Sequence, residues 1–329
     1  MKRSCPLKAI LVLSLLFFLP LVFPWSCGNG TPTTGPTPTP VPTPSADFVT
    51  VVGSSGSGTG QYNGPWFVAL DTAGNLFVAD FGNNRIEEFN TSLVYTAAFG
   101  SAGSGTGQFS GTTGVAVDAS GNVYGSDYYN SKIVKFNSAG VYQTQWGGFG
   151  HGNGQLDTPY GLAVDGSGNV YVADGSNNRV QKFDSSGNFL AAWGGGYGSP
   201  GSGNGQLNYP WGIAIDGSGN LYVTDALNGR VQKFDSSGNY LMKWGSIGSG
   251  NGQLQQPSGI ALDGSGHVYV ADTYNSRVDK FDTSGNYLGK WGSSGSGNGQ
   301  FALPYGIAVD SGGSIYVSDG VRVQKFSPR

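Results

Sequence analysis

One apolar unit recurs six times between Asp47 and Phe326, each copy holds four short β-type runs, and the last copy stops one run short while the start of the chain supplies a spare one. These observations predict an all-β fold, a six-bladed β-propeller of four-stranded blades whose ring is closed by residues 48–53 completing the last blade.

The period is read from two series of aspartates. Asp71, Asp118, Asp165, Asp216, Asp263 and Asp310 each close a run before a Gly-rich turn, at spacings of 47, 47, 51, 47 and 47. Asp80, Asp127, Asp174, Asp225, Asp272 and Asp319 end the next run at the same spacings. The four extra residues of the third interval fall within Gly194 to Gly203. The fourth copy shows the unit clearly: GIAID, the turn DGSGN, then LYVTD, RVQKFD and YLMKW, from Gly212 to Trp244. The runs are β-branched and aromatic and are bounded by Gly, Asn, Asp and Ser. The inner ones are apolar on both faces, which requires both faces of the sheet to be covered. The sixth copy ends after Arg322 to Phe326, and FVTVVG at Phe48 aligns with YQTQWG at Tyr142. That pairing leaves no open edge.

Three domains are expected: a leader over 1–27, a Pro/Thr-rich linker over 28–46 and the propeller over 47–329. A short basic start precedes a 15-residue apolar run, Ala9 to Phe23, the pattern of a secretory signal and short for a membrane span. Ser26-Cys27-Gly28 then resembles the lipobox of bacterial lipoproteins, which implies cleavage before Cys27 and a lipid on its sulfur. Ordinary secretion and an uncleaved anchor are the other outcomes this segment allows. TPTTGPTPTPVPTP cannot pack a core and favours an extended polyproline II spacer.

Composition narrows the function classes. The chain of 329 residues has 58 Gly, 11% charged and 13% aromatic residues, so many tight turns coexist with enough apolar area to fold. Formal net charge is −3 and no basic stripe is visible, which argues against nucleic acid as a partner. The two cysteines, Cys5 and Cys27, both precede the repeats, so neither a disulfide framework nor a cysteine zinc site is available to the propeller.

The unit GNGQ…P-x-GIAVD-x-SGN-x-YVAD…NNRVQKFD-x-SGN resembles the NHL repeat. The resemblance implies the propeller fold. It leaves function open, because that family includes protein- and RNA-binding modules, extracytoplasmic sensor domains and a metal-dependent amidating lyase.

Several constellations read as architecture. An Arg follows the second-run Asp by five residues in Asp80/Arg85, Asp174/Arg179, Asp225/Arg230 and Asp272/Arg277, with Lys132 after Asp127, so the two side chains can meet across a hairpin and hold its loop. DGSGN and DSSGN are turns whose Gly supplies positive φ; they lack the Glu and the length of a calcium loop. Trp146, Trp193, Trp244 and Trp291 are expected to pack between blades. Catalysis has little to stand on. Only His151 and His267 exist, at different repeat positions. The amidating-lyase relatives use several histidines as metal ligands. Lactonase-type propellers use a Glu around an axial metal, whereas Glu87 and Glu88 lie on a third run and are expected to pair on the surface with a neighbouring blade's Lys. No metal and no cofactor is expected.

The informative residues vary between copies. The position five before the first Asp is Trp66, Thr113, Tyr160, Trp211, Ser258 and Tyr305, where the chain enters the innermost strand. The second-to-third loops on the same face, the top, add Phe81, Tyr128, Tyr129, Leu227 and Tyr274. This aromatic set is the candidate ligand-binding face, for a protein or a glycan of the cell envelope. The expected function is a non-catalytic binding or scaffold propeller, monomeric, exported, and attached to a membrane through a lipid only or secreted. A metal-dependent lyase or lactonase and a purely structural surface protein are the alternatives.

Overall fold

The computed structural model describes residues 46–327. The expected leader with Cys27, and the linker as far as residue 45, lie outside them. Six four-stranded antiparallel sheets succeed one another along the chain, and their innermost strands are Pro65–Leu70, Thr112–Val117, Pro159–Val164, Pro210–Ile215, Pro257–Leu262 and Ile307–Val309. These define blades 1 to 6. The sixth sheet has the order innermost, second, third, then Asp47–Val52 as its outermost strand, with Asp47 opposite Ser327 and Val52 opposite Val323. The start of the propeller thus closes the ring, as expected. The described helices are three single-turn segments, and none is long and apolar enough to cross a membrane.

The second strands are buried along their whole length, as in Leu76–Asp80 and Leu221–Asp225. Six buried apolar clusters lie between successive blades; one joins Tyr171 and Val180 of blade 3 to Ile213 and Leu221 of blade 4. The tryptophan column belongs to these seams. Trp146 packs on Phe183 and Trp244 on Phe281, each of the following blade. A Cβ placed on Gly187, a turn residue at φ +90°, would come within 2.6 Å of the Trp146 ring, so this turn requires glycine both for its conformation and for the indole lying over it.

Around the axis the innermost strands approach closely. A Cβ at Gly161 would stand 2.6 Å from the carbonyl oxygen of Trp211 in the next blade. At the fourth position of the second strand, Ser126, Thr224 and Ser318 occupy blades 2, 4 and 6, and Ala79, Ala173 and Ala271 occupy blades 1, 3 and 5. Each hydroxyl joins two blades. Thr224 Oγ1 accepts from the Gly212 amide at 2.7 Å and donates to the Ser258 carbonyl at 2.7 Å. Ser126 and Ser318 do the same toward Tyr160 and Trp66. Backbone groups with no sheet partner at the axis are thereby satisfied, which avoids a cost of about 1–3 kcal/mol for each one left bare.

Candidate functional site

The top face consists of two loops per blade, and one device holds both. The Asp ending the second strand is buried. Its Oδ1 accepts a backbone amide from the loop that enters the blade: Asn63 to Asp80, Asp157 to Asp174, Asn208 to Asp225 and Gln255 to Asp272, at 2.6–2.7 Å. Its Oδ2 receives the Arg of the third strand, at 3.2 Å for Arg85, 2.8 Å for Arg179, 2.6 Å for Arg230 and 3.0 Å for Arg277. An Asn three residues after the Asp donates both to that carboxylate and to a glycine carbonyl of the entering loop, as Asn177 does to Asp174 and Gly150. The Arg reaches the same loop: Arg179 donates to the carbonyls of His151, Gly152 and Gln155. Lys132 performs this role in blade 2 with two carbonyl contacts, Ser104 and Gly105, and lies 3.9 Å from Asp127. Burial raises the pKa of Asp80, Asp127, Asp174 and Asp225 despite the cation beside each.

The sequence pattern located the Asp and Arg but not the Asn or the third-strand Gln. Gln181 accepts from the Gly154 amide and donates to Gln155 and Asp174. Blade 1 has Glu87 in this place and blade 5 has Asp279. Glu87 is therefore not on the surface beside a neighbouring blade's Lys. It is fully buried and contacts Arg85 of its own blade at 2.9 Å, because the register of the third strand turns this position toward the loop. Its outer oxygen has no partner, and the same is true of Asp279 Oδ1.

Two layers of aromatic residues lie above this frame. The inner layer closes the axial mouth. Trp66 stacks on Tyr305 at 4.9 Å, on Phe81 at 5.3 Å and on Tyr160 at 5.7 Å, and Tyr160 leans on Trp211 at 5.4 Å. Tyr160 and Trp211 are only 4% and 8% exposed; Trp66, Phe81, Tyr128 and Tyr305 are half-buried. The variation at this position has a packing cause: Thr113 and Ser258 sit in opposite blades, fully buried, and leave room for four large rings. Sequence reasoning missed Tyr209. It adopts φ +59° and places its hydroxyl 3.1 Å from that of Tyr160. Gly64 and Gly111 take this conformation at the equivalent points without a Cβ, whereas Tyr209, like Thr158 and Gln256, carries backbone strain there.

The outer layer is solvent-facing. Tyr129 and Tyr274, of the expected set, are exposed, and so are Phe149, Tyr197, Leu227, Ile247 and Val321 in neighbouring top loops. Phe149 and Ile247 occupy one variable point of the Gly-rich loop, where Ser55, Ala102 and Ser294 also fall; that variability was the available signal. Charge is nearly absent here. Outside the buried anchors, the top loops carry Asp157 and His151 as their carboxylate and imidazole, whereas the turns of the opposite face carry Asp71, Asp118, Asp165, Asp184, Asp216, Asp235, Asp263, Asp282 and Asp310.

The NHL repeat family matches residues 62–89, 156–183, 207–234 and 254–281, within blades 1, 3, 4 and 5. The chain carries NHL repeats. A 47-residue stretch is 49% identical to Protein lin-41 of Caenorhabditis elegans, covering 14% of this chain and 4% of that protein. Among solved structures, a structural-genomics protein of unknown function from Bacteroides thetaiotaomicron superposes with a TM-score of 0.63 at 18% identity, over 87% of this chain and 76% of its own. A gluconolactonase from Xanthomonas campestris gives 0.62 at 15%, over 88% and 99%. Virginiamycin B lyase from Staphylococcus aureus gives 0.56 at 16%, over 86% and 88%. At these identities the likeness shows the fold alone. Among the described residues no three of His, Cys, Asp or Glu converge on a common point, His151 is held by Asn177 in a top loop, and His267 is held by Asp263 on the opposite face.

The buried acids make stability depend on pH. Burial pushes Glu87 up to about 7 against the pull of Arg85, and it raises Asp279 too, with the nearby Asp272 adding to the rise. A carboxyl raised on folding contributes most below its unfolded value and loses that contribution as pH climbs through its folded one. Replacing both by the residue of blades 3, 4 and 6, Glu87→Gln with Asp279→Gln, should therefore raise Tm at pH 8.5, by about 2–4 °C per kcal/mol recovered, and change it little near pH 4.5. Thermal unfolding followed by circular dichroism at both pH values checks this; an equal shift at both would contradict it.

Proposed function

We propose that this chain is a non-catalytic binding or scaffold propeller that takes a protein or glycan ligand on its top face. In this reading it acts as a monomer in a bacterial cell envelope, exported and attached to the membrane through a lipid on Cys27 alone, with no nucleic-acid partner. The observation that supports it best is the sorting of exposed apolar groups. Of the twelve large apolar side chains exposed among the described residues, seven stand in the top loops, although these loops form only one of the molecule's faces. Clustered exposed aromatics on a rigid scaffold mark interaction surfaces. The buried anchors hold the loops fixed, so a partner meets a preformed surface and little ordering entropy opposes binding. The inner ring of Trp66, Tyr160, Trp211 and Tyr305 supports this surface from beneath, and Phe81, Tyr128, Tyr129 and Tyr274 extend it outward.

The test compares faces. An envelope protein and glycan screen of the full chain should yield a ligand whose affinity falls at least about 10-fold when Tyr129, Leu227 and Tyr274 are changed to Ser, consistent with anchors worth about 1 kcal/mol or more each. The same ligand should be indifferent to Val94→Ser with Val141→Ser on the opposite face. The reverse pattern would sink the proposal. For the anchor, mass spectrometry of the mature protein should find an N-terminal Cys27 carrying a diacylglyceryl group; a chain that keeps an unmodified Cys27 rules the anchor out.

A further inference from the structure

The loops entering blades 3 and 4 carry a constellation that no other blade has. His151 stands where the repeat has serine (Ser57, Ser104, Ser202, Ser249 and Ser296), and Tyr197 belongs to the four-residue insertion. The two rings stack face to face across the seam, centroids 3.6 Å apart and planes 16° apart. Phe149 meets the His151 ring edge-on at 5.7 Å. All three are solvent-exposed, Phe149 at 70% and Tyr197 at 61%.

The group is also held in place. His151 Nδ1 lies 2.9 Å from Asn177 Oδ1. That oxygen can only accept, because the Asn177 amide nitrogen already donates to Gly150 and Asp174. Nδ1 therefore carries a proton, which fixes the orientation of the ring. The His151 carbonyl is fixed by the buried guanidinium of Arg179 at 3.1 Å. A flat aromatic surface is thus tied to the buried anchor of blade 3.

Building on the binding function proposed above, we infer that Phe149, His151 and Tyr197 form a stacking site for a neutral glycan. The C–H face of a pyranose is apolar and weakly positive, and it complements the negative face of an aromatic ring. Sugar hydroxyls take hydrogen-bond donors and acceptors set around such a ring. In the same loop Asn153 and the amide nitrogen of Gln155, whose Oε1 accepts from Gly152, join His151 Nε2 as such groups, and Asp157 adds a carboxylate acceptor. The near-absence of charge disfavours an acidic glycan. The arginines of the adjoining third strands are turned inward to the anchors, which leaves no guanidinium at these loop tips to pair with an acidic partner.

The chain has only two histidines, so its imidazole signals can be followed individually by proton NMR. The full chain should be titrated with cellohexaose, chitohexaose, mannohexaose and, as the acidic control, hexagalacturonate, with calorimetry alongside. The inference expects at least one neutral hexasaccharide to bind and to shift the His151 ring protons while those of His267 stay still. Its affinity should be the same at low and high salt. It should weaken at least 10-fold in Tyr197→Ser and in the double variant Phe149→Ser with His151→Ser, whose residues other blades use at the same points, with Tm unchanged. Three results would overturn it: no binding across the neutral panel, binding that survives in those variants, or preference for hexagalacturonate. If the sugars fail while a protein ligand is lost on changing Tyr129, Leu227 and Tyr274, the binding function stands and only this site falls.

Discussion

A buried carboxylate is the constraint on which the rest of this propeller depends. In each of the first five blades the Asp at the end of the second strand serves the chain that enters the blade, the turn that leaves it and a cation from the third strand. Taking such a pair out of water costs several kcal/mol per ion, and attraction alone seldom repays it. Here the repayment comes from satisfying other groups. The Asp accepts amides, and the Arg and Asn cover the carbonyls of a Gly-rich loop that has almost no side chains of its own to pack. Without the Asp, those polar groups and the Arg would be left buried together.

This arrangement separates stability from recognition. The seams are made by tryptophans, tyrosines and turn glycines that recur faithfully, and the axis is drawn together by hydroxyls in alternate blades. The tips of the top loops take no part in either. Residues there can change without disturbing the ring, and they do: Ser55, Ala102, Phe149, Ile247 and Ser294 occupy one equivalent point. A face that is rigid, nearly uncharged and locally aromatic follows from that freedom.

The fold was almost wholly legible in the sequence, because a repeat displays the same constraint six times. The Asp series gave blade number and phase, and the absent last run gave the closure by Asp47–Val52. The candidate site was legible only in outline. Position five before the first Asp was visible as a varied aromatic set, but sequence did not show how closely the rings on the six innermost strands meet, so that Tyr160 and Trp211 fill the axial mouth and are hidden by it. Glu87 was misplaced for a related reason: a charged residue on a third strand reads as surface until the register turns it inward. Tyr197 and His151 are far apart in the chain and meet only across a seam, so their stacking left no trace in any local pattern.

The anchor can be tested in the unmodified protein by amide hydrogen exchange at Asn63, Ser110, Asp157, Asn208 and Gln255, the loop amides bound by the buried aspartates. These residues lie in irregular, Gly-rich connections that would ordinarily exchange quickly. If the carboxylates organise the top face, these amides exchange as slowly as those of the second strands, opening only when the ring unfolds. Exchange at the rate of a free loop would contradict the account.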